Sequence, residues 1–72
     1  ERGGTALTIL NAANEIAVEL FIQKKIGFHH IPQLIRTALD RVHVKTSPTL
    51  EDIFETDIAT RTFTTEISSS LQ

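Results

Sequence analysis

Residues 6–25 read ALTILNAANEIAVELFIQKK, and the fold turns on how this stretch is read. Ala13, Ile16, Ala17, Leu20 and Lys24 recur at i, i+3, i+4, i+7 and i+11, and Ile9 and Leu10 extend the row backwards. That is a wide apolar face of helical period. Gly3-Gly4 is a breaker and Thr5 a candidate N-cap, so a helix is predicted from about Ala6 to Lys25, with Gly27 as its left-handed stop. The opposite side is unusual. At 100° per residue, Leu7, Asn11, Asn14, Glu15, Val18 and Ile22 cluster about 160° away from Ala13. Asparagine is a mediocre helix former because its amide competes with the backbone for hydrogen bonds. Two asparagines interleaved with Leu, Val and Ile therefore predict a second buried side, with the amides satisfied by protein.

The remainder of the chain supplies the partners for such a helix. Phe28 is placed to staple the loop. Pro32 suits the first turn of a second helix running to about Val42, with His30 or Ile31 as N-cap and Ile31, Leu34, Ile35, Ala38, Leu39 and Val42 as its stripe. Residues 43–47 are a polar connection. Thr49-x-x-Asp52 approximates a capping box for a third helix with Leu50, Ile53 and Phe54 on its apolar side. Asp57 is placed to cap again, which predicts a break near Thr56 and a last helix from Ile58 to about Ser68 burying Ile58, Ala59, Thr62, Phe63 and Ile67. The fold class expected is all-α, a small bundle of three to four helices in one domain spanning residues 1–72. Residues 1–5 read as a linker remnant and 69–72 as a frayed tail.

Composition narrows the function. At 72 residues the chain buries only roughly 60% of the surface its unfolded form exposes, so its stability is marginal. It has no cysteine to form disulfides or cysteine-ligated zinc. The net charge of −2, with Lys24-Lys25 as the one adjacent basic pair, argues against a nucleic-acid partner. No apolar run approaches the ~20 residues of a membrane span, and no charged-then-apolar leader is visible. The sequence contains no methionine, which leads to the expectation of a piece of a longer protein.

Candidate chemistry is sparse. His29 and His30 are adjacent, so their side chains are expected to diverge. Asp40 and His43 have the spacing of a helix-borne ligand pair, but the di-iron pattern is Glu-x-x-His and repeats. Glu15 and Glu19 lie near opposite edges of the polar side, which suits Glu15 better as a partner of backbone N–H groups or of an arginine than as an acid–base catalyst. Arg2, Arg36, Arg41 and Arg61 are scattered and read as solvated charge. No dinucleotide fingerprint, P-loop or Gly-x-Ser-x-Gly occurs. The catalytic, cofactor-binding and metal-binding residues expected in this chain are none. The residues expected to work are the docking set Leu7, Asn11, Asn14, Glu15, Val18 and Ile22.

Several blocks together closely resemble the C-terminal helical domain of 1-deoxy-D-xylulose 5-phosphate reductoisomerase. They are Gly3-Gly4-Thr5, Leu10-Asn11-Ala12-Ala13-Asn14-Glu15, Ala17-Val18, Ile26-Gly27-Phe28 with Ile31-Pro32, and Ser47-Pro48-Thr49-Leu50-Glu51-Asp52 with Asp57. The match covers about residues 3–61. The resemblance implies a three-domain homodimeric parent enzyme, cytoplasmic in bacteria or plastid-located. Such an enzyme converts 1-deoxy-D-xylulose 5-phosphate to 2-C-methyl-D-erythritol 4-phosphate in isoprenoid synthesis, with NADPH and Mg²⁺ or Mn²⁺. It places the nucleotide-, metal- and substrate-binding residues in other domains. This chain is then a non-catalytic support whose partners are the central domain and the linker to it. The rival reading is an independent helical adaptor that binds a partner helix through Leu7, Val18 and Ile22. One departure from the family stands out: His30 occupies a place where such proteins often carry an acidic residue. An Asp there would cap the second helix, so His30 predicts a frayed start.

Overall fold

The computed structural model describes residues 4–71. Three helices, α1 (Ala6–Ile22), α2 (His30–Arg41) and α3 (Leu50–Ser68), are followed by a single 3-10 turn, Ser69–Leu71. The bundle is elongated, 36 × 17 × 17 Å. Helix α1 is its centre, packing against α2 and α3 more extensively than these pack on each other. No helix among the described residues is long and apolar enough to cross a membrane.

The apolar periodicity of α1 becomes its buried side: Ile9, Ala12, Ala13, Ala17 and Leu20. One cluster joins Ala17 and Leu20 to Ile26 and Leu34, with Ile16, Ile31 and Ile67 against it. A second joins Ile9 and Ala13 to Ala38, with Ile35, Leu39, Val42, Val44 and Phe63 against it. The stripe expected on α2 thus packs as its spacing requires. Helix α1 has one buried side rather than two, because two neighbouring helices cover only one flank of it; Asn11 and Asn14 are exposed.

The ends of the helices depart from expectation. Helix α1 stops at Ile22, short of Lys25. Lys24, not Gly27, takes the left-handed conformation, with φ of 63°. The Lys25 N–H donates to the Leu20 carbonyl and the Lys24 N–H to the Phe21 carbonyl, both at 2.9 Å. This is a Schellman closure, and it buries Ile26 immediately after the turn. Phe28 does reach across the loop, edge-on to Phe21 at 5.5 Å between centroids, but stays largely exposed. Helix α2 begins at His30, which sets Pro32 in the third helical position. That is still one of the N–H groups a helix leaves unpaired.

Thr5 precedes α1 but does not cap it with its side chain. Instead its N–H donates to the Lys45 carbonyl at 3.0 Å, and its hydroxyl accepts from the Lys45 N–H at 2.9 Å. Gly4 lies against the same carbonyl with φ of 53°, and a Cβ there would sit 1.7 Å from the Lys45 oxygen. Gly4 and Thr5, expected to be linker, are buried; residues 1–3 of that segment and Gln72 of the tail lie outside the described residues.

Helix α3 is one continuous helix, so the expected break near Thr56 does not occur. Its start has the full capping box: the Thr49 hydroxyl accepts from the Asp52 N–H and the Asp52 carboxylate from the Thr49 N–H, each at 3.0 Å. Lys45 Nζ adds an ion pair to Asp52 at 3.1 Å. Its buried stripe is Thr56, Thr60, Thr64 and Ser68, not the larger residues expected. Ile58, Ala59 and Thr62 are exposed, as are Leu50 and Phe54, while Ile53, Phe63 and Ile67 are half-buried.

Two measurements check this architecture. Gly4→Ala combines a left-handed φ with a backbone collision, and urea melts followed by circular dichroism are expected to show a loss of roughly 2–4 kcal/mol. An unchanged midpoint would show that the segment before α1 is not held against Lys45. The second concerns pH. The Thr49 backbone N–H and then the Lys45 ammonium hold the Asp52 carboxyl below its ordinary value. A depressed carboxylate stabilises the fold fully above its unfolded pKa, and this contribution fades as pH falls through the folded value. The urea midpoint of wild type is therefore expected to fall more steeply on acidification below about pH 4 than that of Asp52→Asn; parallel profiles would contradict the box.

Candidate functional site

The outward side of α1 carries all six residues of the docking set, and all are exposed in the chain. Leu7 is 53% exposed, Val18 37% and Ile22 71%. They lie along one flank because each is three, four or seven residues from the next, or a multiple of a turn. Asn11 and Asn14 sit between them with their amides open. Such an array offers apolar area with polar groups fixed at intervals along it.

Glu15 borders this flank and crosses to α3. Its Oε1 accepts from Arg61 Nη2 at 2.7 Å, while Arg61 Nε donates to Asp57 Oδ2 at 3.0 Å. The arginine expected to be mere solvated charge is thus the link between the two helices. Asp57, expected to cap a last helix, is one turn from Arg61 and holds it instead. The two carboxylates, Glu15 first, raise the guanidinium's pKa further, so it stays charged. Between α1 and Arg61 runs an open groove of about 620 Å³, lined by Asn14, Glu15, Val18, Glu19, Ile22 and Gln23. Of the two carboxylates that line it, Glu15 is the one paired with Arg61.

A second row is not evident from sequence. Leu50, Phe54 and Ile58, one turn apart on α3, are 68%, 59% and 65% exposed. Their size and apolarity point to the core. The available counter-signal is the competing row of small hydroxyl residues at the same four-residue spacing, Thr56, Thr60, Thr64 and Ser68.

The histidines do not make a metal centre among the described residues: no group of three or more His, Asp or Glu side chains converges there. His29 and His30 do not diverge; their rings lie 4.1 Å apart, tilted by 44°. Asp40 and His43 do not share a helix, because α2 ends at Arg41 and Val42 is extended.

The relatives of the chain give this outward face of α1 a context. Residues 1–63 match the family described as the DXP reductoisomerase C-terminal domain. The 1-deoxy-D-xylulose 5-phosphate reductoisomerase of Bacillus cereus (strain AH187) is 48% identical over 64 residues, 89% of this chain and 17% of the relative. That of Bacillus pumilus (strain SAFR-032) is 49% identical over 65 residues, 90% of this chain and 17% of the relative. The protein of the same name from Synechococcus sp. (strain JA-2-3B'a(2-13)) is 45% identical over 67 residues, 93% of this chain and 17% of the relative. The chain therefore spans about 17% of the length of the curated relatives it matches.

The bridge from α3 to α1 is open to a double-mutant cycle. Glu15→Ala, Arg61→Ala and the double variant are expected to give a coupling of roughly 0.2–1 kcal/mol that shrinks in high salt, as for a partly exposed ion pair. Strictly additive losses at low salt would mean that the two side chains do not meet in solution.

Proposed function

Because this chain belongs to the DXP reductoisomerase C-terminal domain family, we propose that it braces the catalytic part of an enzyme of that kind. The whole enzyme would rearrange and reduce 1-deoxy-D-xylulose 5-phosphate to 2-C-methyl-D-erythritol 4-phosphate in isoprenoid synthesis, using NADPH and a divalent cation, as a homodimer. The observation that carries this reading is the identity of nearly half its positions to reductoisomerases over about nine-tenths of the chain. The residues present do not fit a seat for NADPH or the cation: the sequence has no dinucleotide fingerprint, and no carboxylate and histidine cluster forms among the described residues. This chain's part is then mechanical.

The face of Leu7, Asn11, Asn14, Glu15, Val18 and Ile22 is the surface proposed to meet the central domain and its linker. Fully burying a Val, Leu or Ile contributes roughly 1.5–3 kcal/mol, so three of them in water favour association. Asn11 and Asn14 supply hydrogen-bonding groups that set the register. The adaptor reading draws on the same face, but none of the relatives named above is an adaptor.

Two experiments bear on the division of labour. With NADPH, 1-deoxy-D-xylulose 5-phosphate and Mn²⁺, the purified chain is expected to oxidise no NADPH beyond buffer; turnover that tracks with the protein would refute the supporting role. Val18→Asp is expected to keep the helical circular dichroism and to shift any self-associated species toward monomer in sedimentation. Unfolding of the Val18→Asp monomer would instead make the row core and remove it as a docking face.

A further inference from the structure

The turn between α1 and α2 is closed by a glycine gripped by two imidazoles. The Gly27 N–H donates to His30 Nδ1 at 3.0 Å, and the His30 N–H donates back to the Gly27 carbonyl at 3.0 Å. The His29 ring lies over the same residue, so close that a Cβ on Gly27 would come within 2.8 Å of His29 Cε1. The pairing has the form of half a capping box, with an imidazole nitrogen where a carboxylate usually accepts. The start of α2 is held, not frayed.

This acceptor differs from a carboxylate in one respect. Nδ1 accepts only while it carries no proton, which requires the neutral ring with its proton on Nε2. A protonated ring donates from both nitrogens and turns an N–H toward the Gly27 N–H. We infer that the His30–Gly27 pair is an acid-released latch on the α1–α2 turn.

A proton on His30 Nδ1 displaces the Gly27 N–H, and the charged groups near the turn are few. The turn before α2 contributes Lys24, Lys25 and His29, and α2 contributes Arg36, which lines one hollow with His29. The first turn of α2 has no acidic residue. From α3, Glu66 precedes Ile67, which packs on the cluster shared with Ile31. Among the described residues, however, the ion pairs join Lys45 to Asp52 and Glu55, and Arg61 to Glu15 and Asp57; none reaches His30. Release loosens the segment that sets Ile26 against Leu20 and Leu34, so the effect falls on one end of the bundle. The opposite end, tied by Thr5 and Lys45, contains no imidazole in its hydrogen bonds.

Nuclear magnetic resonance on the whole 72-residue chain reads the latch directly. Ring nitrogen shifts give the tautomer and protonation of His30, and the Gly27 amide gives the hydrogen bond. Neutral His30 is expected to carry its proton on Nε2. The Gly27 amide is expected to move with the same midpoint as the His30 ring, and its exchange protection, corrected for intrinsic rates, to fall roughly five- to tenfold on protonation. His30→Asn, whose side-chain oxygen accepts at any pH, is expected to abolish the step, whereas His29→Ala keeps it. A Gly27 amide indifferent to the His30 titration, or neutral His30 protonated on Nδ1, overturns the latch. Both are read on the wild-type chain, so neither outcome depends on a variant folding.

Discussion

Helix α3 buries a stripe of hydroxyl side chains that bond their own helix. The Thr60 and Thr64 hydroxyls donate to the carbonyls four residues earlier at 2.7 Å, and the Ser68 hydroxyl donates to the Thr65 carbonyl at 2.7 Å. With the Thr60, Thr64 and Ser68 hydroxyl hydrogens satisfied inside α3, these side chains can be buried without an unpaired donor; among the described residues no buried side-chain polar atom lacks a partner. The matching stripe on α1 is equally small, with Ala12, Ala13 and Ala17 wholly buried. The core is correspondingly thin, and many bulky residues lie outside it. Leu50, Phe54 and Ile58 turn outward from α3, and Leu7, Val18 and Ile22 outward from α1.

A thin core needs its ends secured. At one end Lys45 acts twice: its backbone pairs with Thr5, and its ammonium reaches the Asp52 carboxylate of the α3 capping box. The starts of α1 and α3 are thereby tied to one residue of the connection between α2 and α3. At the other end the Schellman turn and the Gly27–His30 pair close α1 onto α2. Midway, Arg61 links α3 to α1 through Glu15. These contacts are directional where the core is not, and they set the register of three helices whose small buried faces would otherwise slide.

The outward apolar rows are the basis of the role proposed for the domain. Exposed apolar side chains occur on most proteins, but two rows at helical spacing on adjacent helices are an interaction surface in waiting. A chain that spans about 17% of its relatives' length has ample polypeptide in such proteins to supply the partner. The family relationship and the exposed rows are separate observations behind the proposed docking role, one from residue identity and one from packing.

The local signals were legible in the sequence alone. The period of Ile9, Ala13, Ala17 and Leu20 specified α1, the stripe from Ile31 to Val42 specified α2, and Thr49 with Asp52 specified the start of α3. The Asn-Ala-Ala-Asn-Glu block and its neighbours carried the family. These features depend on residues within a turn or two of each other, so spacing reveals them. What only the tertiary structure decided were choices between two locally equivalent options. Lys24 rather than Gly27 took the left-handed turn because Ile26 had to reach the core. Asp57 held Arg61 rather than capping a new helix because Glu15, far away in sequence, shared the arginine. On α3 the row of Leu50, Phe54 and Ile58 and the row of Thr56, Thr60, Thr64 and Ser68 repeat with the same period, and hydrophobicity favours the wrong one. The bundle settled it: α3 turns the hydroxyl row inward together with Phe63 and Ile67, which pack on the clusters of Ala13 and Ala17, and leaves Leu50, Phe54 and Ile58 in water.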